Sequence, residues 1–340
     1  LSEALSWSER DGIAFLPAPD PLWRRCRTPL TARYAVFGVP LTVQTNAPLL
    51  AELAEAAFGH WGDPPDGAAE PDLCLRLIVH DAPEAPTNDR PAPLMRAQEG
   101  YFWISAGTSF GFADRRAGFA TAYVTPTALA EPERVTACFI ECLGVFLACG
   151  RRPGTLHAAG IRIGDRGVLL TGRDGAGKST LAYACVRAGL HLLAEDMVVV
   201  EPGPRGAVAW GDARFLHLLP DAPGLFPELS TAPYVRQLNG ETKLRVHVHA
   251  LRPDAAITQM PVWGVCSLGR ADGGATRIGP SDPDTIRHAL THFKGDPPID
   301  LSAMNGGVDA LLNGHTAHLE VGSDLDGAVR MLQEWVRSLP

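Results

Sequence analysis

Apolar and polar positions change rhythm several times along this chain, and each rhythm predicts an element. RYAVFGVPLTVQT (33–45) reads as one or two strands, and PLLAELAEAAFGHW after it carries a helical pattern. DLCLRLIVHD (72–81) alternates polar and apolar residues, as a half-buried strand does. EAPTNDRPAPLM is Pro-rich and predicts a surface loop. YFWISAG, FGFADRR and GFATAYVTP read as successive strands, with links too short for crossovers, so a meander of antiparallel strands is expected. PERVTACFIECLGVFLACG closes this region as an apolar helix.

Pro and Gly in RRPGT (151–155) mark a boundary. Beyond it GVLLTG predicts a short buried strand, GKSTLAYACVRAG a helix, and HLLAEDMVVVEP another strand region. AVAWG, FLHLL, KLRVHVH and VWGVCSLG follow as short strands, then a helix in DPDTIRHALTHFKG opened by Asp282 or Asp284. LDGAVRMLQEWVRSL ends the chain as an amphipathic helix. The pattern predicts an α/β protein of two domains. Residues 1–150 form a mixed α/β domain with antiparallel strands, serving as scaffold or substrate-recognition unit. Residues 151–340 form a complete nucleotide-binding α/β domain. A length of 340 residues suits that division.

Composition narrows the partners. A formal net charge of −8 argues against a broad grip on nucleic acid, which depends on Lys and Arg neutralising phosphates. LSEALSWSERDG places mixed charge ahead of any apolar run, so no secretory signal is expected there. ACFIECLGVFLACG (137–150) is too short to span a bilayer and contains Glu141, which predicts a buried helix and no membrane association. None of the seven cysteines forms a CxxC pair, and Cys138, Cys142 and Cys149 recur at helical spacing, as small core residues would. A reduced, cytoplasmic protein is expected, with assembly into homo-oligomers left open.

The chemistry concentrates in one segment. Gly172-Arg173-Asp174-Gly175-Ala176-Gly177-Lys178-Ser179 fits GxxxxGK[ST], follows an apolar strand and opens a helix that continues through Thr180. Glycines let successive backbone N–H groups form an anion nest, and the helix turns its unpaired N–H groups to the same place. Lys178 can reach the β and γ phosphates, and the Ser179 hydroxyl can coordinate Mg²⁺. A nucleoside triphosphate is the expected ligand. Glu195-Asp196 lies at the end of the strand after the helix, where two acids next to a core are costly unless they meet a cation. His157 lies a short hairpin's length upstream of the loop.

These residues together resemble the catalytic core of HPr kinase/phosphorylase and the wider group of HPr-kinase-like proteins. The matching positions are His157, Gly172 to Ser179, Gly189 before His191, and Ala194-Glu195-Asp196, and the likeness is firm over residues 155 to 201. The resemblance implies a nucleotide-binding domain of the PEP-carboxykinase type and a Mg²⁺-dependent transfer from ATP to a serine hydroxyl. It implies Asp196 as general base, Glu195 as metal contact with the order of the two acids open to exchange, and His157 as the group that orients the acid or stabilises charge. Departures accompany it: Thr180 stands where HPr kinases usually carry Glu, the pair is Glu-Asp, Ala158 follows His157, and no EIRGxG-like segment occurs. They point away from HPr itself, and toward HPr-kinase-related proteins that modify peptides of natural-product gene clusters, lasso-peptide precursors among them. The expected partner is a peptide or small protein. A small-molecule kinase, or a protein that binds ATP without transferring it, are the alternatives.

Phosphoryl transfer also wants cations beyond Lys178. Arg214 before a strand, and Lys243 and Arg245 after a Gly turn, are candidates for phosphate or substrate contacts. His247 and His249, two apart on an expected strand, would share a face, but no third ligand at a telling spacing accompanies them. His288 and His292 share a helix face without the Glu of a zinc-protease motif. The aromatics of FWISAGTSFGF read as core.

Overall fold

Strands β1 (Leu30–Val36) and β2 (Val39–Thr45) form a hairpin in full register. The two linking residues, Phe37 and Gly38, have φ of 50° and 71°, the mirror-image turn that matches the strands' twist. That conformation costs a non-glycine residue about 1–2 kcal/mol. Phe37 offsets it by burying its ring edge-on to Trp61, at 4.8 Å between centroids. The computed structural model describes residues 26–64, 72–80, 92–152, 154–203, 206–271, 274–291 and 305–340. The N-terminal LSEALSWSERDG, most of the Pro-rich loop, and His292 lie outside the described residues.

Helix α1 (Pro48–Phe58) buries Leu50, Ala54, Ala57 and Phe58 and carries the chain over to β3 (Leu73–Val79), parallel to β2. Strands β4 (Leu94–Gln98), β5 (Tyr101–Ala106), β6 (Ser109–Asp114) and β7 (Phe119–Val124) make an antiparallel meander, and the seven-stranded order is β1-β2-β3-β7-β6-β5-β4. Leu94 and Met95, expected in the loop, open β4, because Met95 faces the core. The aromatics divide as alternation requires: Phe102 is buried, while Trp103, Phe110 and Phe112 lie on the outer face with Tyr101, which corrects the reading of those three as core. The apolar helix is real but interrupted. It runs as α2 (Pro132–Val135), a π-helical turn over Thr136–Glu141, and α3 (Cys142–Cys149).

The second sheet has nine strands: β8 (Gly154–His157), β9 (Ala159–Ile163), β10 (Arg166–Thr171), β11 (His191–Ala194), β12 (Met197–Gly203), β13 (Gly206–Gly211), β17 (Gln259–Arg270), β18 (Arg277–Gly279) and β19 (His315–Val321). Its path is β11-β9-β10-β17-β13-β12-β8, with β19 on β17 and β18 on β19. Twelve residues long, β17 serves two neighbourhoods: its start pairs antiparallel with β13, its end parallel with β10 and β19. The sheet therefore curls. β11 ends the strand path on one side and β12 lies one strand from the other end, yet only Glu195 and Asp196 connect them. The curl brings Gly211 so close to Leu193 that a Cβ there would stand 2.5 Å from the Leu193 carbonyl oxygen.

Strands β14 (Phe215–Leu218), β15 (Tyr234–Arg236) and β16 (Thr242–His247) form a separate sheet in the order β14-β16-β15. Helix α4 (Lys178–Arg187) follows β10, and Leu181, Cys185, Leu216 and Leu218 share its core. One helical turn, α5 (Val248–Leu251), ends β16, so His249 leaves the strand and its Nδ1 lies 3.2 Å from the Pro253 carbonyl oxygen. The pair His247 and His249 thus shares no strand face. Asp282 opens α6 (Pro283–Thr291), accepting from the Thr285 N–H at 2.9 Å. After α7 (Asn305–Leu312), Asp324 caps α8 (Leu325–Ser338) by accepting from Gly327 N–H at 2.8 Å. The fold is mixed α/β, with mixed sheets. Cys138 and Cys185 are buried, and burial pushes the Cys185 thiol up to about 12. No helix among the described residues is long and apolar enough to cross a membrane.

Candidate active site

The phosphate loop spans the gap between the buried end of β10 and the first residue of α4. Gly172 at φ 153° lies against β17, where a Cβ would sit 3.0 Å from the Leu268 carbonyl oxygen. Gly177 at φ 98° is the N-cap of α4, a left-handed position that a side chain would strain. No side chain caps α4 and no acid sits in its first turn, so the helix N-terminus keeps its N–H groups for an anion. Arg173, Asp174 and Gly175 form the exposed crest, with Ala176, Ser179 and Thr180 half-buried behind it.

Lys178 is 7% exposed and its Nζ donates to the Gly172 carbonyl, 2.9 Å away. Burial lowers its pKa, and the nearby carboxylates of Asp196, Asp174 and Glu195 oppose that without cancelling it. A cation folded back onto its own loop, close to three acids, can exchange a carbonyl for a phosphate oxygen.

His157 ends β8, whose ladder with β12 pairs it with Met197 and lets Ala158 N–H donate to the Asp196 carbonyl at 3.0 Å. Backbone pairing thus fixes His157 beside Asp196. Its Nδ1 donates to Asp196 Oδ1 at 3.0 Å, while Nε2 lies 3.8 Å from Asp174 Oδ1 on the loop. The Asp196 side chain stays 63% exposed at the open side. Desolvation pushes its pKa up, but the His157 hydrogen bond and the charges of His157, Lys243 and Lys178 outweigh that and hold it below its ordinary value. Asp196 is therefore an ionised, accessible carboxylate facing the phosphate loop.

Glu195 is the more enclosed of the two acids, with its side chain 11% exposed. His217 on β14 donates from Nδ1 to Glu195 Oε1 at 3.1 Å, and Oε2 is buried with no hydrogen-bond partner among the described residues. A buried carboxylate oxygen without a donor is costly, and a cation is the group it lacks. Among the described residues no cluster of three or more His, Cys, Asp or Glu could hold a metal unaided. Mg²⁺ bound through one or two carboxylates and phosphate oxygens does not need such a cluster. Glu195 and Ser179 fit that mode, with Asp196 beside them.

The three further cations separate. Lys243 is close enough for its charge to act on Asp196 and Lys178, with its Nζ 3.5 Å from Glu241. Arg214 and Arg245, expected as phosphate or substrate contacts, are engaged by protein groups in this structure. The Arg214 guanidinium donates to Asp212 and to Glu141, each at 2.6 Å, and to the Ala56 carbonyl at 3.0 Å. Arg245 donates to Glu133 at 2.9 Å. Both charges are consumed by carboxylates, mostly of the first half of the chain. His217 is the residue that the sequence reading missed: a lone His in FLHLL, 22 residues beyond Glu195, carries no spacing signal.

No family model matches the sequence, and no curated protein matches it. Among solved structures, the HPr(Ser) kinase/phosphatase from Coxiella burnetii matches over 54% of this chain and 93% of its own, at 18% identity and a TM-score of 0.29. That likeness is partial and distant, and the site stands on its own residues.

Proposed function

We propose that this chain is a cytoplasmic, ATP-dependent and Mg²⁺-dependent kinase that transfers the γ-phosphoryl group to a hydroxyl, a serine of a peptide or small protein. The observation that carries the proposal is the meeting of Asp196 and His157 at the mouth of the phosphate loop, 3.0 Å apart. The serine acceptor rests on the sequence pattern shared with HPr-kinase-related proteins over residues 155 to 201.

The loop N–H groups and Lys178 hold the triphosphate. Glu195 and Ser179 would hold magnesium, which, when bound, neutralises charge on the phosphate oxygens. The acceptor oxygen forms its bond to the γ-phosphorus as the bond to the bridging oxygen breaks, ADP leaves, and the hydroxyl proton passes to Asp196. A carboxylate held below its usual range is a weak base, which suffices for a loose transition state that develops little charge on the nucleophile. His157 keeps the carboxylate aimed, and Lys243 adds positive charge near Asp196 and Lys178.

With Mg²⁺-ATP and serine-containing peptides, mass spectrometry should show a phosphopeptide. Asp196→Asn should lower the transfer rate by roughly 10²–10⁴-fold while ATP still binds. An Asp196→Asn protein that transfers at the wild-type rate would sink the proposal, as would a wild type that modifies no hydroxyl.

A further inference from the structure

The small sheet β14-β16-β15 carries two residues of the site yet belongs to neither large sheet. Alternation divides its side chains. Leu216, Leu218 and Leu244 are buried in the core with α4. Phe215, His217, Lys243 and Arg245 therefore share the opposite face, with His217 directly across the ladder from Arg245. On that face His217 holds Glu195, and Lys243 acts on Asp196.

The first half of the chain grips the same face. Glu141, at the end of the π-helical turn, binds Arg214 at 2.6 Å, one residue before β14 begins. Glu133 on α2 binds Arg245 at 2.9 Å. The Arg214 and Arg245 guanidinium carbons lie 5.4 and 5.3 Å from the Phe215 ring, so one ring underlies both grips. Local charge balance does not demand Glu141, because Asp212 already neutralises Arg214 through two nitrogens, Nε and Nη2. What Glu141 adds is a charged connection between the halves, beside the Arg214 bond to the Ala56 carbonyl at 3.0 Å. It ends one residue from the strand that aims His217.

We infer that Glu141 and Glu133 are positioning residues for phosphoryl transfer: through Arg214 and Arg245 they fix the register of the small sheet, and so the placement of His217 and Lys243 around the acid pair. The inference rests on the phosphoryl-transfer reading. It gives the first half of the chain a part in the reaction without placing any of its residues at the phosphate. Positioning matters at this scale because a displacement of about 1 Å can cost on the order of 10²-fold in rate.

The test uses the full chain with Glu141→Gln, Glu133→Gln and His217→Ala. Glu141→Gln keeps shape and leaves Arg214 its Asp212 partner, so folding should persist; Glu133 is 74% exposed, so its variant carries no folding risk. Glu141→Gln is expected to lower kcat by roughly tenfold or more, with KM for ATP changed little. Glu133→Gln should act in the same direction by a few-fold. Glu141→Gln in a His217→Ala background should lower kcat by less than it does alone, because the part of its effect that runs through His217 and Glu195 is already lost. A wild-type kcat in Glu141→Gln, or effects that multiply with His217→Ala, overturns the inference. If Glu141→Gln fails to fold, a wild-type kcat in Glu133→Gln overturns it alone. Amide hydrogen exchange supplies a readout independent of activity: in Glu141→Gln, residues 215–218 and 242–247 should exchange faster while α4 does not. Should the wild type transfer no phosphate, the kinase reading fails, while the exchange pattern still decides the coupling. Unchanged exchange in β14 and β16 overturns it.

Discussion

Asp196 gains its character from three cationic neighbours, His157 foremost. Desolvation alone would raise its pKa, and the net lowering comes from the Nδ1–H of His157 together with Lys243 and Lys178. The base form therefore persists to lower pH than in an ordinary aspartate. In His157→Gln the strongest opposing group is gone, desolvation is less opposed, and the carboxylate protonates at a higher pH. The acid limb of kcat/KM should move to higher pH in that variant, measured with a fixed peptide acceptor; a limb that stays in place would remove His157 from this role. At this scale the sequence exposed His157, Lys178, Glu195 and Asp196, since all flank one motif and their chemistry needs them close. It hid His217, because nothing local ties a lone His in an alternating strand to an acid 22 residues away. Arg214 and Arg245 look like any basic residue at a strand end until their carboxylate partners are visible, 73 and 112 residues distant.

At the scale of elements, the phosphate loop works because its backbone can take conformations that side chains resist. Around Gly177 there is open space within 4 Å of a would-be Cβ, so Gly177→Ala meets no neighbour, and its cost is conformational alone. A left-handed residue other than glycine costs about 1–2 kcal/mol, worth roughly tenfold in binding. Gly177→Ala should therefore let the loop relax away from its phosphate-binding shape to shed that strain, weakening ATP by about tenfold, with any strain kept in the fold read as a lower melting temperature. Equal affinity, by isothermal titration, would mean that the loop backbone does not hold the phosphates. Helices and strands with strong local periodicity were legible: α4, α8 and the meander β5-β6-β7 follow from spacing and short links. Pairing between distant segments was not. That β11 and β12 end up with four strands between them in one curled sheet, joined by the acid pair, depends on β17 serving two sets of neighbours, which no local pattern encodes. The π-helical turn was equally hidden, although Glu141 within an apolar helix marked the place where a polar partner was required.

Across the whole molecule, the two halves meet through a shared apolar face and an ionic clamp. Val199 of β12 is buried in the core of the first sheet, Trp210 packs there too, and the Gly38 turn comes so close to Trp210 that a Cβ would stand 2.6 Å from its ring. His60 sits in this seam, 3.5 Å from Asp212. Burial drives its pKa down to about 4, with Asp212 pulling it up and Arg214 pushing it further down. Unfolded, the imidazole titrates near about 6.5. Between these values the unfolded chain binds the proton and the folded one does not, so stability falls as pH drops from about 6.5 toward 4, by up to about 3 kcal/mol. Above about 6.5 the imidazole is neutral in both states and contributes no slope. Replacing it by an uncharged residue of similar size, as in His60→Gln, should flatten this part of the stability profile, read from urea unfolding at a series of pH values. Because Asp212 and Arg214 share the seam, its local opening, which frees His60 to take up a proton, should be favoured over the same acid range and release the grip on β14 before the P-loop half unfolds. Transfer activity in the wild type should then fail at a higher pH than global unfolding, and His60→Gln should bring the two closer together. A wild type whose stability is flat from pH 6.5 to 4 would show that the imidazole takes up its proton in the folded seam as readily as outside it.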